Sequence, residues 1–71
     1  MASTQSITRI VIHGQTMEGH SMRRVFEWHV FNPQPAQWYD WQAGRRMSVS
    51  DDVVIRAIER ANRKGWQVEE S

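Results

Sequence analysis

The 71-residue sequence contains no cysteine, only two prolines and four glycines, and no long apolar run. Without cysteine the chain can form neither disulfide bonds nor thiolate metal sites, and it gives no sign of an oxidising compartment. Its apolar runs are far shorter than the roughly 20 residues that span a bilayer, and its first residues lack the apolar core of a signal peptide. We therefore expect a cytoplasmic protein that does not enter a membrane.

Burial of aromatic side chains is the main way in which so short a chain can be stabilised. A chain of this length makes one domain, and a domain of this size buries only about 60% of its unfolded surface. Four tryptophans offer compensation, because a buried large aromatic removes roughly 150–250 Å² from water. A homodimer would be another way to bury more surface.

Two segments near the N-terminus alternate between apolar and polar residues as β-strands do, at positions 7–13 and 22–31. "QTMEGHS" lies between them and supplies turn residues, so we expect an antiparallel hairpin closed by residues 18–20. The expected pairs are Ile12 with Phe26, Ile10 with Trp28 and Thr8 with Val30 on the core face, and Val11 with Glu27 and Arg9 with His29 on the other.

The segment "QWYDWQ", residues 37–42, allows two interpretations. As a strand it places Tyr39 and Trp41 on one face and Trp38 with Asp40 on the other. As a short helix it would have Pro35 in its first turn and Gly44 just past its end. We favour the strand.

The clearest element is a helix between Ser50 and Gly65. Ser50 is the candidate N-cap, Ser48 with Asp51 resembles a capping box, and Gly65 suits the left-handed position after the last turn. The apolar residues repeat at helical spacing and form one stripe, made of Val53, Val54, Ala57, Ile58 and Ala61. "WQV" after Gly65 predicts a short last strand.

These elements predict a single α+β domain over residues 1–71, with residues 1–6 and 69–71 frayed. A hairpin, a third strand and a short last strand pack against one C-terminal helix. The expected core is contiguous and consists of Ile10, Ile12, Phe26, Trp28, Val54 and Ile58.

Nothing in the sequence predicts catalysis, a cofactor or a metal. His13 and His29 fall on the non-core face and His20 in the loop, without the converging ligands that zinc needs. No nucleophile elbow, phosphate loop or dinucleotide motif is present, and Ser48 and Ser50 are explained as helix caps.

Nucleic-acid binding is the alternative function. Eight of the nine basic residues are arginine, and the layout resembles the small DNA-reading domains at the N-termini of phage-type integrases. A formal net charge of +1 argues against a dedicated nucleic-acid binder. The residues that would contact phosphates are Arg23, Arg24, Arg56, Arg60, Arg63 and Lys64.

Protein binding is the function that we expect. Trp, Tyr and Arg are enriched at interface hot spots, and "QWYDWQAGRR" contains all three. We expect Tyr39 and Trp41 to complete the core, and the partner-binding residues to be Trp38, Asp40, Arg45 and Arg46. In size and composition the chain resembles the accessory proteins with which bacteriophages and mobile elements block host machinery, anti-CRISPR proteins among them. That resemblance implies a stoichiometric inhibitor whose partner the sequence does not identify.

Overall fold

A computed structural model describes residues 5–31 and 33–71, and these residues form a five-stranded antiparallel sheet with one helix. The predicted α+β class is confirmed. In chain order the elements are β1 (Gln5–Gln15), β2 (Ser21–Phe31), β3 (Gln37–Gln42), β4 (Arg45–Val49), α1 (Asp51–Lys64) and β5 (Gln67–Glu70).

The strands lie in the order β4-β3-β2-β1-β5, so α1 connects the two edges of the sheet and crosses one of its faces. The strand interpretation of residues 37–42 is confirmed, and so is the short last strand. β4 was not predicted, because its charged five-residue sequence has the character of an exposed edge strand. Ala43 and Gly44, both at positive φ, form the tight turn that joins β3 to β4.

The predicted hairpin is confirmed, but its register differs by two residues from the predicted register. Gln15 pairs with Ser21, so residues 16–20 form the loop, and Ile10 lies opposite Phe26. Inside the loop the Gly19 amide donates to the Thr16 carbonyl at 3.0 Å, and Gly19 adopts a positive φ. A shift of two residues preserves the side-chain alternation, so each residue still faces the predicted side of the sheet.

One layer of apolar side chains between the sheet and α1 makes the core. Four of the predicted core residues are buried there, together with Ala61. Ile58 packs against them from the helix. Trp28 is half-buried and contacts Trp38, with ring centroids 5.1 Å apart. The buried cluster is Ile10, Ile12, Phe26, Val54 and Ala61.

The caps predicted for the two ends of α1 are confirmed only in part. Ser50 is the N-cap residue, but its side chain makes no capping hydrogen bond. Ser48 belongs to β4 and pairs with Tyr39, so the expected capping box is wrong. Gly65 is left-handed as predicted, and the Trp66 amide donates to the Ala61 carbonyl at 2.9 Å.

The residues expected to fray are paired in the sheet wherever the structure describes them. Gln5 and Ser6 belong to β1, and Glu69 with Glu70 belongs to β5. Ser71 exchanges two backbone hydrogen bonds with Arg9, both of 2.9 Å, which extends the β1–β5 ladder. The part of the prediction that concerns residues 1–4 lies outside the described residues.

The face assignment predicted for β3 is reversed in the structure. Trp38 packs against the core and Asp40 is 0% exposed, whereas Trp41 is 40% exposed. Asp40 tolerates burial because the Arg24 Nη2 donates to its Oδ2 at 3.0 Å, and β2 brings that arginine to the same face. The sequence alone does not reveal this pairing, since Arg24 and Asp40 lie 16 positions apart.

Trp38→Ala should therefore destabilise the domain far more than Trp41→Ala. Loss of the inner tryptophan should cost about 3 kcal/mol of unfolding free energy, since it removes core packing beside Trp28. Loss of the outer tryptophan should cost about 1 kcal/mol, because much of its surface is already in water. Urea titration followed by circular dichroism measures both values. Equal losses would contradict the face assignment.

Gly14→Ala should destabilise the domain by about 1–3 kcal/mol through overpacking. A Cβ at this position would lie 2.7 Å from Cε3 of Trp66, which packs directly on the glycine. The same urea titration of Gly14→Ala/Trp66→Leu tests the cause. The smaller side chain should make the alanine nearly neutral relative to Trp66→Leu alone, and an undiminished cost would exclude a clash with the indole.

Candidate functional site

The face of the sheet opposite α1 carries the most concentrated polar and aromatic chemistry of the protein. Strand alternation and pairing bring side chains from four strands together on this face, and no other described element packs over it. We call the group the open-face patch, and it consists of Arg9, Glu27, His29, Phe31, Tyr39, Trp41 and Arg46.

The Glu27 carboxylate lies at the centre of the patch and is only 4% exposed. The Arg9 guanidinium donates twice to its Oε2, at 2.8 and 3.1 Å. Nε2 of His29 lies 2.9 Å from Oε1. Because an ionised carboxylate can only accept, we assign the proton of the imidazole to Nε2. Both oxygens of this nearly buried charge are thereby satisfied.

Aromatic rings surround this ion pair and cover it from solvent. The His29 ring meets Tyr39 edge-on with centroids 4.7 Å apart, and Phe31 lies 5.3 Å away on its other flank. The Arg46 guanidinium lies 4.9 Å from the Tyr39 ring centroid, within cation–π range. Trp41, on the same face of β3 as Tyr39, is the exposed aromatic of the patch. The arrangement is a polar centre beneath an aromatic rim.

The pKa of Glu27 is lowered from its ordinary value. Burial is the largest single influence and acts to raise the pKa. Hydrogen bonds with His29, Arg9 and Trp41, together with the charge of Arg9, outweigh it. Glu27 therefore stays ionised when the domain is folded, and the patch keeps its central ion pair at neutral pH.

The Glu27–His29 pair is positioned poorly for acid–base chemistry. Both side chains are almost inaccessible, at 4% and 3% exposure, so a substrate atom cannot reach them without rearrangement of the rim. Among residues 5–31 and 33–71 no group of three or more potential ligands could hold a metal ion. The pair is better suited to holding the aromatic side chains around it in place.

The predicted partner-binding residues are divided between the two sides of the sheet. Trp38 and Asp40 lie on the helix side of the sheet, where Trp38 packs against the core and Asp40 is buried, so their expected exposure is wrong. Asp40 therefore cannot touch a partner directly. Arg45 and Arg46 are both exposed as expected, but they alternate. Arg46 shares the open face with Tyr39, whereas Arg45 lies on the helix side. Trp41, expected in the core, lies on the open face.

The alternative set of basic residues is also dispersed. Arg24 is engaged by Asp40 and stacks over Phe26 at 4.7 Å. Arg60 and Lys64 lie over Trp66, at 5.7 and 5.9 Å from its ring centroid. Arg23 and Lys64 line one groove between the hairpin and the end of α1. The two residues of the set that are left are exposed on α1. These are Arg56 and Arg63.

Sequence reasoning missed Arg9, Glu27 and His29 as a unit. The expected hairpin placed all three on the non-core face, but it paired Arg9 with His29 and Glu27 with Val11. The available signal was the spacing of Glu27 and His29, since positions two apart in a strand share a face. Arg9 could be added only with the correct register, because it pairs with Glu27 and not with His29.

Comparison with known proteins identifies no relative of this chain. No family model, no curated protein and no solved structure matches it. Within the described residues, no helix is long and apolar enough to cross a membrane. The chemistry and geometry of the two faces are therefore the observations that bear on function.

Glu27→Gln should lower the free energy of unfolding at pH 7 by about 1.5–3 kcal/mol, because it removes charge-assisted hydrogen bonds from a buried site. A folded-state pKa below the ordinary value stabilises the fold above that value, and the stabilisation disappears as pH falls through the folded pKa. The difference between wild type and variant should thus persist at neutral pH and shrink below about pH 4.3.

Urea titrations from pH 7 to pH 3 measure this difference. Glu59→Gln is the matched control, because Glu59 is exposed on α1 and its loss should leave the acid limb of the stability curve unchanged. A difference between wild type and Glu27→Gln that stayed constant over this range would contradict the stabilising role of the ionised carboxylate.

Proposed function

We propose that the protein is a non-enzymatic binding module that acts stoichiometrically on a partner protein through the open-face patch. The supporting observation is the juxtaposition of Trp41, Tyr39 and Arg46 on the face of the sheet that α1 leaves uncovered. These residue types dominate protein-interface hot spots, where one side chain fills a pocket of the partner. The opposite face is already occupied by the helix and its apolar layer.

The rigidity of the patch favours binding. Glu27 fixes His29 from beneath, and His29 in turn supports the edge of Tyr39. Arg46 is already stacked on Tyr39 before any partner arrives. Because ordering interface side chains opposes association, a surface ordered in advance loses less entropy when it binds.

The charges of the patch indicate what the partner surface must present. Arg9 is neutralised by Glu27, so it contributes little net charge to the face. Arg46 has no ion-pair partner among the described residues, and it stands beside the exposed edge of Trp41. A complementary surface would place a carboxylate or carbonyl oxygen at the guanidinium and an apolar pocket around the indole.

The resemblance to phage and mobile-element accessory proteins supports an inhibitory form of this function. A domain of this size can inhibit a larger enzyme by occupying a surface that the enzyme needs. Stoichiometric occupation is also the activity for which a rigid patch without an accessible acid–base pair is best suited. We therefore favour an inhibitor of host machinery, with anti-defence action as its biological setting.

Binding of single-stranded nucleic acid is the second candidate. Aromatic side chains on an open antiparallel sheet, flanked by arginines, are also the arrangement on which unpaired bases stack. The net charge of +1 and the neutralised Arg9 favour a protein partner instead. The two candidates require the same residues, so an experiment must separate them by the nature of the bound molecule.

The adjacent arginines provide a matched pair for that experiment, because Arg46 lies on the open face and Arg45 on the helix side. Immobilised wild type, Arg45→Gln, Arg46→Gln and Trp41→Ala would be incubated with bacterial lysate, with and without nuclease, and bound proteins quantified by mass spectrometry. We expect a set of proteins retained by wild type and Arg45→Gln, insensitive to nuclease. Arg46→Gln and Trp41→Ala should each reduce it about tenfold, or about 1.4 kcal/mol.

Two different outcomes would contradict binding of a protein partner through the open face. Retention that disappears with nuclease would favour the nucleic-acid candidate, and equal losses in the two arginine variants would exclude the open face as the binding surface. Sedimentation of the purified protein tests self-association, since a dimer dissociated by Arg46→Gln alone would identify a second copy as the partner.

A further inference from the structure

A second candidate surface lies where the hairpin meets the C-terminal end of α1. β3 pairs with residues 26–29 of β2, and β5 with residues 10–13 of β1, so the hairpin extends beyond both neighbours. Between this extension and the helix end is an open groove of about 610 Å³. Its lining includes His13, Gly14, Arg23, Lys64, Trp66 and Gln67.

The wall of the groove is held in a fixed position. Gly65 turns the chain back from α1 in a left-handed conformation, and Trp66 then lies on Gly14 of β1. The Lys64 Nζ lies 5.9 Å from the Trp66 ring centroid, so its ammonium is held near this wall. His13 and Arg23 are register partners whose side chains leave the hairpin on the face opposite to Gly14, so they reach the groove only at its open margin.

The charge of the groove is of one sign. No carboxylate belongs to its lining, although the whole chain is nearly neutral. Arg23 and Lys64 have no ion-pair partner among the described residues, in contrast to Arg9 and Arg24. Just outside the lining, the exposed Glu69 carboxylate lies 3.4 Å from Nε2 of His13 and accepts a hydrogen bond of 3.0 Å from the Gln67 amide. An anion that enters on the side of Arg23 and Lys64 would meet two cations that no carboxylate of the described residues neutralises.

We infer that this groove binds a phosphate group. Arginine and lysine together provide the donors that phosphate oxygens accept. The same phosphate chemistry is carried by small phosphorylated molecules and by the backbone of a nucleic acid. This inference goes beyond the proposed function, since it involves none of the residues of the open-face patch.

NMR titration of the isotopically labelled protein at constant ionic strength tests the inference. The probes are inorganic phosphate, pyrophosphate, pentathymidylate and, as a carboxylate comparison, acetate. We expect saturable amide shifts confined to the groove with the phosphate probes and none with acetate. Arg23→Gln and Lys64→Gln should each weaken pyrophosphate binding about fivefold or more, because each removes one of the few cations available.

Arg56→Gln is the matched control, since it removes an exposed helix arginine that is not part of the groove, and Arg46→Gln controls for the open-face patch. Both should leave pyrophosphate binding unchanged. The inference is overturned if no saturable shift appears, if acetate shifts the same amides, or if Arg56→Gln weakens binding as much as Lys64→Gln does.

The probes also separate the two sources of phosphate. Tighter binding of pentathymidylate, with a steep loss of affinity as salt rises, would identify a nucleic-acid backbone as the ligand. Pyrophosphate that binds as tightly as the oligonucleotide, or more tightly, would identify a small phosphorylated molecule. Either result supports a phosphate site.

Discussion

A single helix of fourteen residues has to cover a sheet of five strands, and this constraint shapes the rest of the structure. The helix can bury only one face, so the apolar side chains of β1 and β2 are directed to that side, where Val54 and Ala61 complete the core. If the opposite face were apolar, it would expose a large hydrophobic surface that promotes association. It is instead closed by its own side chains, as aromatic rings cover an ion pair.

Both faces contain a buried carboxylate that an arginine from a neighbouring strand neutralises. Under the helix, Arg24 of β2 holds Asp40 of β3; on the open face, Arg9 of β1 holds Glu27 of β2. Such pairs stabilise the arrangement less by their net energy than by penalising any register that separates them. Within the described part of the chain, one oxygen of Asp40 has no hydrogen-bond partner, so the helix-side pair is the less completely satisfied of the two.

The separation of the two faces also separates two kinds of chemistry. The open-face patch is aromatic and carries a central ion pair, whereas the groove at the end of α1 is lined by Arg23 and Lys64, which have no ion-pair partner among the described residues. Neighbouring residues can therefore serve different purposes, because alternation along a strand sends Arg45 and Arg46 to opposite sides. Proximity in sequence is a poor guide to a shared site in such a sheet.

The sequence by itself determined what depends on local pattern: the strand character of the hairpin, the helix with its apolar stripe and left-handed Gly65, and the alternation of Trp38 with Tyr39. It could not determine which face of β3 would turn inward, because that depended on Arg24, a distant residue able to neutralise Asp40. The pairing of Arg9 with Glu27 likewise required the register, which the loop length sets. Local propensity acts through neighbours in the chain, whereas burial of charge depends on partners that only the tertiary structure brings together.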